Sequence, residues 1–259
     1  MIDTANPLSG QVAIITGGSI GIGYCTAVAL ARAGVKVVLV SRDQDRVDGA
    51  VAELLQDSVE AEALGLALDV KNPTDMETMA MLTMERFGRI DILITAAGVL
   101  RVGSGVPRTL AQMPVTEWDD VLTTNLRGVF LANRAVIPAM LRQRAGQIVN
   151  LSSTSGRKGL AFDAAYCASK FGVIGLTESL AEELRTSGIR VHSLLPGAID
   201  TGMWDQNGPL PPPEDLLPPE RVAACIHALL LLPEDVVFDA PVIEPLKRHQ
   251  PPSVTSRRR

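Results

Sequence analysis

Short apolar runs alternate along this chain with longer amphipathic stretches. Residues 11–16 read Gln-Val-Ala-Ile-Ile-Thr and residues 35–41 read Val-Lys-Val-Val-Leu-Val-Ser. Similar runs follow at 62–68, 90–95, 147–151, 189–194 and 236–243. Their length and β-branched content predict strands, and their near-continuous apolar character predicts burial on both faces. Between them the apolar period changes from two to 3.6. In 43–57, Val47, Val51, Leu54 and Leu55 fall on one helical stripe. Helices are predicted at 24–33, 43–57, 74–87, 116–143, 164–186 and 220–232, with a kink at Pro138. Strands alternating with helices imply an α/β fold: a Rossmann-like, doubly wound parallel sheet of about seven strands with helices on both faces. Residues 1–248 read as one domain and 249–259 as a disordered tail. Residues 204–219 carry six of the 17 prolines, which disfavours a regular helix there.

Composition narrows the class. The chain has 259 residues, of which 46% are hydrophobic, enough to bury a sizeable core. A net charge of −5, from 24 basic and 29 acidic residues, gives no sign of a nucleic-acid surface. Arg257–Arg259 read as a solvated basic end. Cys25, Cys167 and Cys225 are far apart and lack metal-ligand spacing, so reduced cytoplasmic thiols and no metal are expected. No apolar run approaches a membrane span, and the first ten residues lack the pattern of a signal peptide.

Two clusters carry chemistry. The first strand runs into Gly17-Gly18-Ser19-Ile20-Gly21-Ile22-Gly23, and a helix follows. Glycines let backbone N–H groups approach a pyrophosphate, and the helix dipole favours its charge. The second cluster is Tyr166-Cys-Ala-Ser-Lys170, with Ser153 thirteen residues before the tyrosine. Tyr166 and Lys170, at i and i+4, share one helix face. A nearby ammonium favours phenolate, and a serine hydroxyl can hold a carbonyl oxygen in line with the phenol. Such a set can move a proton onto or off an alcohol oxygen.

Together these motifs resemble the short-chain dehydrogenase/reductase family. Thr16–Gly23 is similar to its Thr-Gly-x-x-x-Gly-x-Gly cofactor motif, and Ser153, Tyr166 and Lys170 match its catalytic set. The resemblance implies a fourth catalytic residue in Asn125, which would hold a water linking Lys170 to solvent. It implies adenine contacts from Asp69 and Val70, a cofactor turn at Ala97 and Gly98, and nicotinamide-side contacts from Pro196, Gly197, Ile199 and Thr201. Thr95 stands where the family often has asparagine, so different bonding is expected there. The resemblance also makes residues 200–219 a substrate lid, with a surface connector as the alternative. It implies self-association as a homodimer or homotetramer through the helices at 116–143 and 164–186.

The second strand ends Val40-Ser41-Arg42 rather than in an acidic residue. An acidic side chain there would bond the 2′-hydroxyl of NAD, whereas Ser41 and Arg42 suit a 2′-phosphate. NADP(H) is therefore expected over NAD(H). Leu100, Ser155, Leu160, Phe162, Met203 and Trp204 are expected to line the substrate pocket, and their mostly apolar character suits a neutral carbonyl compound or secondary alcohol. A 3-oxoacyl thioester reductase is one alternative, although residues 236–243 lack the Asp-Gly-Gly ending typical of such enzymes. A dinucleotide sensor without turnover is another, and the intact catalytic set argues against it.

Overall fold

The computed structural model describes residues 6–57, 61–103, 105–233 and 235–246. The tail expected at 249–259 lies outside them. Seven parallel strands form the sheet: β1 (Val12–Thr16), β2 (Lys36–Ser41), β3 (Ala63–Ala67), β4 (Ile92–Thr95), β5 (Gly146–Leu151), β6 (Ile189–Pro196) and β7 (Val242–Ile243). Their order is β3-β2-β1-β4-β5-β6-β7. Ala13 pairs with Val37 on one side and with Ile92 on the other, so β1 is central. Chain direction across the sheet reverses there, which opens a crevice beyond the carboxyl ends of β1 and β4.

The pleat sends alternate side chains to two cores. Ala13, Ile15, Val37 and Leu39 face one layer, made by α1 (Gly21–Arg32), α2 (Gln44–Asp57) and α7 (Pro219–Leu230). Val12, Ile14, Val38 and Val40 face the other, made by α3 (Pro73–Phe87), α5 (Gly128–Gln143) and α6 (Ala164–Leu184). Helix ends follow local chemistry. Asn72 caps α3 by accepting from the Thr74 amide at 3.0 Å, Pro73 opens the helix, and Gly88 closes it in the left-handed region. Thr95 does bond in its own way, donating its hydroxyl to Asn150 Oδ1 at 2.9 Å. Asn133 Nδ2 donates to the same oxygen at 2.9 Å, and Asn150 Nδ2 donates to Thr177 Oγ1 at 3.1 Å. This buried network ties β4 and β5 to α5 and α6.

Three sequence expectations shift. Helix α1 begins at Gly21, because the last glycines of the loop already form its first turn. The helix expected at 116–143 is two: α4 (Val115–Leu122) and α5, joined by a π-helical turn at Thr123–Arg127. The interruption falls at Asn125, whose buried side chain is engaged elsewhere, and Pro138 lies inside the continuous α5. The strand expected at 236–243 shrinks to Val242–Ile243, which pair with Leu195 and Pro196 at the sheet edge. Ala240 has a left-handed φ of 46°, which is incompatible with an extended strand running through it. Residues 208–218 form no regular helix, as the prolines imply, and a bridge joins Ile199 to Leu217. No helix among the described residues is long and apolar enough to cross a membrane.

Candidate active site

The glycine loop is built by close approach of backbone. Gly17 has a φ of 68°, and a Cβ there would sit 2.7 Å from the Ala97 amide nitrogen. A Cβ on Gly23 would sit 2.2 Å from the Gly17 carbonyl oxygen, so only glycine lets α1 start against the loop. No side chain caps α1, and its first turn contains no acidic residue. The first-turn amides have no partner within the helix. They open into a cavity of about 220 Å³ lined by Gly17, Ser19, Ile20, Gly21, Ile22 and Gly23. Ser41 and Arg42 line its far end, Asp69 and Val70 one wall, and Ala97, Gly98 and Thr201 another. The structure thus gathers residues spread from 17 to 201 around one pyrophosphate-sized anion cradle. The donor set fits a dinucleotide.

Arg42 is exposed at the rim and forms no ion pair among the described residues. Arg46, in the first turn of α2, lines the same cavity, and its Nε lies 3.4 Å from Asp43 Oδ2. Sequence reading missed Arg46, because Arg42 precedes α2 and no helical spacing links the two. Asp69 Oδ1 accepts from the Lys71 amide at 2.9 Å, which fixes the turn after β3.

A second cavity, of about 840 Å³, adjoins the first, and Ile22, Ala96, Gly98, Thr201 and Met203 line both. Ser153, Tyr166 and Lys170 share its wall, together with Pro196, Gly197 and Ile199. Ser153 opens the short 3₁₀ turn Thr154–Gly156, its Oγ accepting from the Ser155 amide at 3.1 Å. The same hydroxyl lies near enough to the Tyr166 phenol to favour its ionised form. Tyr166 and Lys170 stand in the first two turns of α6, with Lys170 Nζ 5.7 Å from the centre of the phenol ring. Lys170 is 5% exposed and donates to the Leu151 carbonyl at 2.9 Å.

Electrostatics here departs from the sequence expectation. Burial pushes the Tyr166 phenol up to about 12, and the nearby Ser153 hydroxyl only partly opposes it. Burial also lowers the Lys170 amine to about 8. In the chain alone, desolvation therefore outweighs attraction between ammonium and phenolate. Tyr166 is a neutral phenol at neutral pH, poised to donate a proton.

Asn125 is fully buried. Its Oδ1 accepts from the Val99 amide at 2.8 Å, and its Nδ2 donates to the Val99 carbonyl at 2.8 Å and to Ser169 Oγ at 3.1 Å. The side chain clamps the loop after β4 onto α6 beside Lys170, so a water held by its amide would have to share these bonds.

Of the expected substrate residues, Leu100 and Ser155 are buried in the wall of the larger cavity. Leu160 and Phe162 line its rim about half exposed, at 50% and 52%. Met203 and Trp204 belong to a 3₁₀ segment, Gly202–Asn207, that covers one side. Trp204 Nε1 donates to the Ile199 carbonyl at 2.8 Å, and Thr201 Oγ1 accepts from the Met203 amide at 3.4 Å. Arg101, Asp163 and Asn207 also line the cavity. Sequence reading missed all three, and no motif carries them.

A family model described as short chain dehydrogenase matches residues 11–209. A 3-oxoacyl-[acyl-carrier-protein] reductase of Synechocystis sp. is 38% identical over 199 residues, covering 76% of this chain and 78% of its own. Levodione reductase of Leifsonia aquatica is 36% identical over 210 residues, covering 80% of this chain and 77% of its own. The crystal structure of levodione reductase matches with a TM-score of 0.83 at 33% identity, over 91% of this chain and 96% of that one. A metagenomic short-chain oxidoreductase in complex with NADP matches with a TM-score of 0.79 at 32% identity, over 93% of this chain and 99% of that one. The glycine cradle, the seven-stranded parallel sheet and these matches agree, and the chain belongs to the short-chain dehydrogenase family.

Proposed function

We propose that this chain reduces a carbonyl compound to an alcohol using NADPH, with Tyr166 as the proton donor. The observation that carries the reading is the junction of the two cavities. The hydroxyls of Ser153 and Tyr166 and the amine of Lys170 line one cavity, and five residues are shared with the anion cradle beside it. The dinucleotide supplies the hydride. The loop Gly17–Gly23 would hold its pyrophosphate, Asp69 and Val70 the adenine end, and Arg42 and Arg46 a 2′-phosphate by charge-assisted bonds. Pro196, Gly197, Ile199 and Thr201 support the nicotinamide end.

Ser153 donates a hydrogen bond to the substrate carbonyl and holds it against the phenol. As that oxygen gains negative charge, Tyr166 gives up its proton to it and the product leaves as the neutral alcohol. A phenol raised to about 12 keeps its proton until such an oxyanion forms. Lys170 bonds the ribose of the cofactor and stabilises the phenolate left behind. Asn125 keeps Gly98 and the loop after β4 in register with Lys170, and only the second lone pair of its Oδ1 is left to hold a water linking Lys170 to solvent. The lid 202–208 excludes water from the site.

The substrate class stays between a neutral ketone and a 3-oxoacyl thioester, the two activities named among the relatives at 36–38% identity. The exposed Phe130 of α5 and Phe171 of α6 support self-association through those helices, which light scattering tests. The functional test follows NADPH oxidation against ketones, aldehydes and acyl thioesters, in the native chain and in Tyr166→Phe. The variant should lose about 10²–10⁴-fold in turnover and still bind NADPH. A fully active variant removes Tyr166 from the chemistry, and NADPH binding without oxidation across the panel leaves a sensor.

A further inference from the structure

The larger cavity contains a buried cation that the proposed chemistry does not use. Arg101 is 7% exposed, and its guanidinium bonds both the Asp163 carboxylate and the Asn207 side-chain oxygen. A buried guanidinium is costly unless it is paired and hydrogen-bonded, so these bonds hold its surroundings in place. Its two partners come from different parts of the fold. Asp163 sits at the start of α6, where its carbonyl accepts from the Cys167 amide at 2.8 Å, three residues after it comes Tyr166. Asn207 closes the 3₁₀ segment of the lid, and it is buried while the following Gly208, Pro209 and Leu210 are exposed.

Neighbouring contacts repeat the connection. The Leu100 amide donates to Gln206 Oε1 at 2.8 Å. A Cβ on Gly105 would sit 2.5 Å from the Gln206 carbonyl oxygen, so lid and loop touch through bare backbone. The lid is thus anchored at its start by Trp204 on Ile199 and at its end by Asn207 on Arg101.

We propose that Arg101 is a positioning residue: it latches residues 202–208 over the catalytic hydroxyls and ties the closed lid to the first turn of the tyrosine helix. The role in turnover rests on the carbonyl-reductase reading, but the latch itself does not.

Two variants of the full chain test it. Asn207→Ala removes the lid's side of the latch and leaves the buried Arg101–Asp163 pair intact. Arg101→Met removes the latch entirely while keeping the volume of the side chain. Amide hydrogen exchange in peptides covering 199–210 should accelerate about tenfold or more in each, the loss expected for a bond to a charged group, while peptides from β1 and β5 stay unchanged. KM for a reducible carbonyl should rise about tenfold with NADPH affinity unaltered, and Arg101→Lys, which can reach one partner, should recover part of both effects. Unchanged lid exchange in folded Asn207→Ala overturns the latch, whether or not Arg101→Met folds. Faster exchange with unchanged KM overturns the positioning role. Faster exchange in a chain that oxidises NADPH with no carbonyl upholds the latch and removes the reductase reading instead.

Discussion

Replacing Lys170 by methionine should make the folded chain more stable at neutral pH while abolishing its activity. The amine is 5% exposed, and burial lowers it from the ordinary 10.5 to about 8. Holding it protonated below that value costs the folded chain about 3 kcal/mol, at about 1.4 kcal/mol for each tenfold step. The bond from Nζ to the Leu151 carbonyl returns about 1 kcal/mol, leaving a gain near ~2 kcal/mol for the methionine variant at about pH 7. The sign follows from the protons. Between about 8 and 10.5 the unfolded chain keeps the lysine proton and the folded chain has lost it. The unfolded state then binds more protons, so stability of the native chain climbs with pH across that window. Urea unfolding of both proteins, from about pH 7 to about pH 10, reads the effect as a difference that shrinks by about 2–3 kcal/mol. Cys25 and Tyr24 titrate alike in both proteins and cancel, and Tyr166, raised to about 12, stays protonated in both folded proteins across the window. A difference that stays constant over the window would show that the buried amine is not penalised, and the electrostatic account of the site would fail with it.

The other expectations concern the cradle and the core. Gly23→Ala should weaken NADPH binding by about 100-fold or more in a calorimetric titration, because its Cβ would lie 2.2 Å from the Gly17 carbonyl oxygen and must displace the loop. Arg42→Ala and Arg46→Ala should each raise KM for NADPH by about tenfold and leave that for NADH nearly unchanged. Equal responses to both cofactors would refute the 2′-phosphate assignment. Asn150→Ala should cost about 2–4 kcal/mol in denaturant unfolding, since Thr95, Asn133 and Thr177 all lose a buried partner.

What the sequence makes legible is what local spacing dictates. The glycine loop is contiguous, and Tyr166 and Lys170 are one helical turn apart, so both groups announce their geometry. The parallel sheet and its two-sided core follow from alternation and apolar runs, whereas the strand order is a tertiary property that only the structure gives. The pairings of Arg101 lie 62 and 106 positions away, to Asp163 and Asn207, and no periodicity encodes them. The phenol's high pKa was invisible for a related reason. Spacing gives the distance between Tyr166 and Lys170, but burial comes from the whole fold, and here it is the larger effect. The helix at 116–143 is interrupted by a tertiary demand at Asn125, which no local signal announces, while Pro138 lies within α5.

That interruption has a physical logic linking fold to chemistry. A π-helical turn gives up regular hydrogen bonding, so something must offset it. The side-chain amide of Asn125 does so with three bonds, two to the backbone of Val99 and one to Ser169. Val99 follows the Ala96–Gly98 turn shared by both cavities, and Ser169 precedes Lys170. One side chain therefore fixes the loop that lines the glycine-loop cavity relative to the helix that carries Tyr166, the proposed proton donor. A regular helix through 116–143 would satisfy its own backbone and leave that distance to chance. The local irregularity and the alignment of the two cavities are then a single feature, and the cost of the first is the condition for the second.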